Sequence, residues 1–175
     1  MTGLSLVKKI AAWALLLVFS MNAGLADAVT EYDLKAAYLL NFASYIEWPE
    51  QPEPVTICVY GDNPFKAATI TTLLEAKAGQ INAGFKYPRQ LEQLADCNIL
   101  YLGLSEHENF DKAIAIVHNA PVLVVTDVQD GLPQGAMINL VTESNRLRFE
   151  INIGTVLASK LKISSKLLKL AKIVS

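Results

Sequence analysis

Two cysteines, Cys58 and Cys97, and two histidines, His107 and His118, are the side chains best suited to nucleophilic or metal chemistry in this chain. Their spacing is not that of a zinc finger, in which ligands come in close pairs. A Cys–His nucleophile would need the fold to bring thiol and imidazole together, and neither histidine lies in a local catalytic signature. A single cysteine pair in an oxidising compartment reads most simply as one disulfide. The competing readings are a free reactive thiol and a cysteine nucleophile paired with His107 or His118. Gly103-Leu104-Ser105-Glu106-His107 is a nucleophile elbow only in outline, because histidine replaces the second glycine. Ser105 reads better as a helix N-cap.

Phosphate and cation chemistry fare no better. Gly61-Asp62-Asn63-Pro64 opens a predicted helix after a predicted strand, so its amides could hold an anion, but it matches neither nucleotide-binding pattern. Asp127 and Asp130 flank a strand end and read as turn residues, and Glu106 and Glu108 read as a solvated helix start. No metal site, no cofactor and no enzymatic activity are expected.

More is offered by a polar set late in the chain: Asn139, Arg146, Arg148, Glu150 and Asn152. Alternation through Arg148-Phe149-Glu150-Ile151 sends Arg148 and Glu150 to one face of a strand and Phe149 and Ile151 to the other. This is the chemistry of a half-exposed strand with a cross-strand ion pair, or of a surface built to meet a ligand or a protein. Asn139, Arg148 and Glu150 are the candidate binding residues.

The elements that would carry these residues begin after an export signal. Lys8 and Lys9 precede an unbroken apolar run over residues 10–19, and small residues follow, with cleavage expected after Ala26 or Ala28. The run is too short to span a bilayer. Residues 1–28 are therefore read as a signal peptide and 29–175 as one periplasmic domain. Removing the signal lowers Lys plus Arg from 15 to 13 and Asp plus Glu from 17 to 16, a net charge of about −3. A mildly acidic chain without a basic stripe is a poor nucleic-acid binder.

Thr30 is read as an N-cap for a helix that runs to Ile46 and stops before Trp48-Pro49. Strands are expected at 55–60, 85–87, 99–102 and 122–126. Helices are expected between them: from Pro64 to 78, over 89–95, and from Ser105 to 117. That alternation predicts a mainly parallel sheet flanked by helices in a single α/β domain. In a strand order of 2-1-3, the strands at Cys58 and Cys97 are neighbours. The rhythm then changes to an antiparallel hairpin, 136–141 and 147–151, with 142–146 as its loop. Two helices close the chain, 154–160 and 164–173, with Lys160, Lys162, Lys166, Lys169 and Lys172 in water and their leucines docked on the core.

Against these elements stand blocks that resemble the YfiR family of bacterial periplasmic proteins. They include Lys35-Ala36-Ala37-Tyr38-Leu39-Leu40-Asn41-Phe42, Glu47-Trp48-Pro49, Ile57-Cys58-Val59-Tyr60-Gly61-Asp62-Asn63-Pro64-Phe65 and Cys97-Asn98-Ile99-Leu100-Tyr101. The strongest are Gly135-Ala136-Met137-Ile138-Asn139-Leu140-Val141, Arg148-Phe149-Glu150-Ile151-Asn152 and Leu161-Lys162-Ile163-Ser164-Ser165-Lys166-Leu167-Leu168. The resemblance implies a non-catalytic α/β repressor, often a homodimer. Its implied partner is the periplasmic sensor domain of an inner-membrane diguanylate cyclase, and its effect is to lower cyclic-di-GMP and biofilm formation. An outer-membrane lipoprotein that sequesters the repressor is also implied. Cys58 and Cys97 match a disulfide pair of the family, while a second pair found in some members near residues 131–139 is missing here.

Two functions follow as expectations: a periplasmic regulator that represses such a cyclase, and, as the alternative, a periplasmic small-molecule-binding sensory module.

Overall fold

The computed structural model describes residues 29–174, so the expected signal peptide lies outside the described residues. Helix α1 (Glu31–Phe42) starts at the expected cap. The Thr30 hydroxyl oxygen accepts the Asp33 N–H at 3.2 Å, and the Asp33 carboxylate accepts the Thr30 N–H at 2.8 Å. The helix ends sooner than its apolar spacing suggests. Ile46–Glu47 forms a strand, β1, whose ladder partner is Lys162–Ile163, β8, far along the chain. A distant pairing of this kind overrides local periodicity.

The main sheet has seven strands. In chain order they are β2 (Val55–Tyr60), β3 (Ala83–Lys86), β4 (Ile99–Leu102), β5 (Leu123–Thr126), β6 (Ile138–Glu143), β7 (Arg146–Asn152) and β9 (Lys172–Val174). Their spatial order is β3-β2-β4-β5-β6-β7-β9. All neighbours are parallel except β6 and β7, which form the expected antiparallel hairpin. Strands β4 and β5 are buried along their whole length, which is why they read as unbroken apolar runs.

Helices cover both faces. On one face α1 and α2 (Ala67–Ala76) pack over Ile57, Val59, Ile99, Tyr101, Leu123, Val125 and Ile138, joined near the hairpin by Val156 of α4 (Ile153–Ala158). On the other, α3 (Phe110–Val117) and the 3-10 turn Leu91–Asp96 cover Cys58, Leu100, Leu102 and Val124. Helix α2 starts after Lys66 rather than at Pro64, because the Asn63 carboxamide takes the Phe65 N–H at 2.9 Å and holds the loop open. The segment expected to be one helix from Ser105 is a 3-10 turn, Leu104–Asn109, followed by α3. Ser105 caps no helix of its own: its hydroxyl oxygen accepts the N–H of Asp62 at 3.1 Å and ties the β4 loop to the β2 loop.

The carboxyl end departs most from the sequence reading. Residues 164–173 are not one helix. Only Ser165–Leu168, α5, is helical, capped by Ser164, and the chain then extends into β9 beside β7. Four residues form a single turn, too little to propagate, whereas Ile173 and Val174 are β-branched and meet an unfilled strand edge.

Candidate functional site

The hairpin turn is shorter than expected. Ser144 and Asn145 have φ of 48° and 59°, a primed two-residue turn that fixes the pairing Glu143↔Arg146 and everything behind it. Along the hairpin Val141 lies opposite Arg148, and Asn139 opposite Glu150. Alternation holds: Phe149 and Ile151 are buried against the α1 side, where Phe149 sits 5.4 Å from the Phe42 ring, while Arg148 is exposed on the other face.

The three candidate residues do share that face, at different depths. Glu150 has a 17% exposed side chain and accepts Lys172 of β9 at 2.6 Å. The ion pair therefore joins β7 to β9, and Arg148 takes no part. The hydrogen bond and charge of Glu150 hold the Lys172 ammonium above its ordinary value. Asn139 is 2% exposed, and its Oδ1 has no hydrogen-bond partner among the described residues. It lies beneath the surface rather than on it. Arg148 has no hydrogen-bonded or ionic side-chain partner among the described residues. Beside it lies a cleft of 350 Å³, lined by Val141, Glu143, Arg148, Leu170, Ala171 and Lys172 among others. Asn152, grouped with these residues by sequence, caps α4 instead, its carboxamide accepting the Thr155 N–H at 3.0 Å.

At the carboxyl ends of the central strands aromatic rings and a buried ion pair meet. The order of β3, β2, β4, β5 and β6 is the 2-1-3-4-5 arrangement, whose usual ligand crevice lies between the first and third strands. Here the chain fills the neighbourhood itself. Phe65 packs edge-on against Tyr101 at 5.1 Å, and Tyr32 of α1 packs on Phe65 at 6.1 Å. Lys35, 4% exposed, donates to Asp127 at 2.6 Å and to Glu31 at 2.7 Å, with its ammonium 4.6 Å from the Tyr32 ring centre. Burial alone would lower the Lys35 ammonium, but the hydrogen bonds it donates to Asp127 and Glu31 outweigh that and raise it. Burial, and then the Asp127 charge, pushes the Tyr101 phenol far up. Asp127 is thus an ion-pair partner rather than a turn residue or cation ligand. The signal that could have found it was Lys35, a charge on the apolar stripe of α1 one turn from Glu31.

Cys58 and Cys97 are bonded to each other, with Cα atoms 5.8 Å apart, and both are buried. Cys58 lies on β2, and Cys97 immediately precedes its neighbour β4. With both sulfurs committed, the Cys–His alternative has no thiol to act through. His107 sits in an exposed 3-10 turn, and His118 lines an apolar cavity of 340 Å³ with Val117, Val124 and Met137. Among the described residues no group of three or more His, Cys, Asp or Glu could hold a metal ion, and no helix is long and apolar enough to cross a membrane.

Comparison with known proteins supplies a family and a fold. The family described as YfiR/HmsC-like matches residues 32–172. A solved structure of a conserved domain protein from Vibrio cholerae O1 biovar El Tor strain N16961 superposes with a TM-score of 0.55 at 11% identity. The match covers 83% of this chain and 60% of that one, so this chain spans less than two thirds of the Vibrio protein's length. At that identity the likeness is one of fold.

Proposed function

The chain belongs to the YfiR/HmsC-like family, and from that premise we propose that it is a periplasmic protein that binds the periplasmic sensor domain of an inner-membrane diguanylate cyclase and represses it. The observation that carries this reading is the family match, which runs from the first turn of α1 to the first residue of β9. Two features of the structure support it. Near the carboxyl ends of the central strands, where this strand order usually takes a ligand, Tyr32, Phe65 and Tyr101 pack ring on ring, Lys35 is paired with Asp127, and Ser105 ties the β4 loop to the β2 loop. The uncommitted charge of Arg148 lies instead on an open face beside the ion pair of Glu150 and Lys172, with Asn139 beneath. The protein's chemistry is then that of a surface.

A repressor outside the membrane acts by binding one conformation of its partner better than another. A preference of about 100-fold supplies roughly 2.7 kcal/mol, enough to shift a balanced equilibrium almost completely. A homodimer would engage a two-fold receptor symmetrically. An outer-membrane lipoprotein that occupies the same surface would relieve the repression.

Deleting the gene tests the proposal. Cellular cyclic-di-GMP and biofilm should rise, and exported protein should restore both. A form lacking residues 1–28, held in the cytoplasm, should not; full rescue by that form would overturn both localisation and mechanism. The 350 Å³ cleft beside Arg148 favours a second reading, a small-molecule sensory module. Repression that requires an added periplasmic extract of small molecules would favour it.

A further inference from the structure

The hairpin is longer than the strand that covers its outer edge. β7 spans Arg146–Asn152, but its ladder with β9 begins only at Glu150↔Lys172. Among the described residues, 146–149 therefore have β6 on one side and no ladder partner on the other. The turn fixes which backbone groups face outward. Glu143 and Arg146 close the two-residue turn as a hydrogen-bonded pair, and alternation makes Val141–Arg148 and Asn139–Glu150 the next such pairs. The N–H and C=O groups of Leu147 and Phe149 consequently point away from β6. Tyr38 donates its hydroxyl proton to the Leu147 carbonyl at 3.5 Å, and the parallel register turns the Phe149 carbonyl to the Lys172 N–H, so the N–H groups of Leu147 and Phe149 are left as donors on the open edge.

Among the described residues no proline or bulge closes that edge; its shortness and the exposed charges of Arg146 and Arg148 are what guard it against indiscriminate pairing. What surrounds it sets the chemistry of an occupant. Leu170, 71% exposed, and Ala171 form an apolar rim where the chain enters β9. Glu150 is neutralised by Lys172, so Arg146 and Arg148 face only Glu143, and the face carries an excess of positive charge. The open stretch is four residues, about 13 Å at ~3.3 Å per residue. It fits a short extended segment and is too narrow for a helix.

We infer that the edge of β7 over residues 146–149 receives an extended acidic segment of the protein partner, which adds a strand in line with β9 and sets a carboxylate against Arg148 while packing an apolar side chain on Leu170. This deepens the proposed function and rests on it. Backbone hydrogen bonds would supply affinity, and the Arg148 contact would supply choice of partner.

Amide exchange of the full mature protein, alone and with the purified periplasmic domain of the cognate cyclase, tests the assignment. On complex formation the Leu147 and Phe149 amides should slow at least tenfold. Arg148→Glu should weaken binding at least tenfold with an unchanged melting temperature, and Arg148→Lys should retain most of it. A complex whose protection falls elsewhere overturns the edge assignment and leaves the proposed function standing. Protection that grows with the concentration of this protein alone, the cyclase domain adding nothing, places a second copy on the edge and also overturns it. Failure of any complex to form overturns the proposed function and this inference with it.

Discussion

Lys35 of α1 and Asp127 at the end of β5 meet at 2.6 Å, with side chains only 5% and 8% exposed. The pair is buried between a helix that starts the domain and a strand at its centre. It anchors the amino-terminal turns of α1 over the carboxyl ends of the central strands.

Breaking the pair from one side should be costly. Lys35→Met leaves the Asp127 carboxylate buried without its cation, and stability should fall by about 3–5 kcal/mol. Lys35→Met combined with Asp127→Leu should recover most of that loss, because no uncompensated charge remains. Urea unfolding midpoints of the parent and the two variants check this; equal losses in the single and double variants would count against it.

The disulfide should be structural. It closes a separation of 39 residues between neighbouring strands, so Cys58→Ala should lower stability by about 2–4 kcal/mol while leaving the fold in place. Mass spectrometry of non-reduced mature protein should show no alkylatable thiol. Two free thiols in native material would refute the pairing.

Acid should loosen the start of α1. The Thr69 hydroxyl, with the Thr30 backbone and side chain, holds the Asp33 carboxyl down at about 2 from its ordinary 3.8. A depressed carboxylate contributes its stability above the ordinary value and loses it as pH falls from there through about 2. Asp33→Asn should flatten the decline of melting temperature between those two values. A variant that follows the parent's acid limb throughout would show that the cap does not contribute.

Charge reversals on the β7 face should separate structure from recognition. Glu150→Lys sets two ammonium groups against each other at Lys172 and should detach β9, visible as a lower melting temperature and faster exchange at the Ile151 amide. Arg148 has no hydrogen-bonded or ionic side-chain partner among the described residues, so Arg148→Glu should leave stability within about 0.5 kcal/mol, yet weaken capture of the cyclase domain. A folded Arg148→Glu protein with parental affinity would remove Arg148 from the binding surface.

Reading these elements from sequence worked where burial was two-sided. The runs in β2, β4 and β5 are apolar because helices cover both faces of the sheet, and such strands announce themselves without alternation. The Thr30 cap, the hairpin and the facing of Arg148 and Glu150 were legible because each rests on contacts within a few residues or on the two-residue period of a strand. The pairing of Cys58 with Cys97 needed only one sulfur partner for each and a plausible strand order.

What the sequence could not show depends on partners distant along the chain. Ile46 continues a helical pattern, yet its place is set by Ile163. Ile173 belongs to an apolar helical stripe, yet the open edge of β7 draws it into a strand. Ser105 resembles a cap but answers to the Asp62 amide, and Lys35 on an apolar stripe signals a buried partner without saying that it is Asp127. Asn139 looks like a surface polar residue until its strand lies between β5 and β7. The amino-acid order by itself determined the α/β class and the alternation of the hairpin, because those follow from local period and composition. Depth, edge and ion-pair partner were decided only by tertiary structure, because each is a property of what packs alongside.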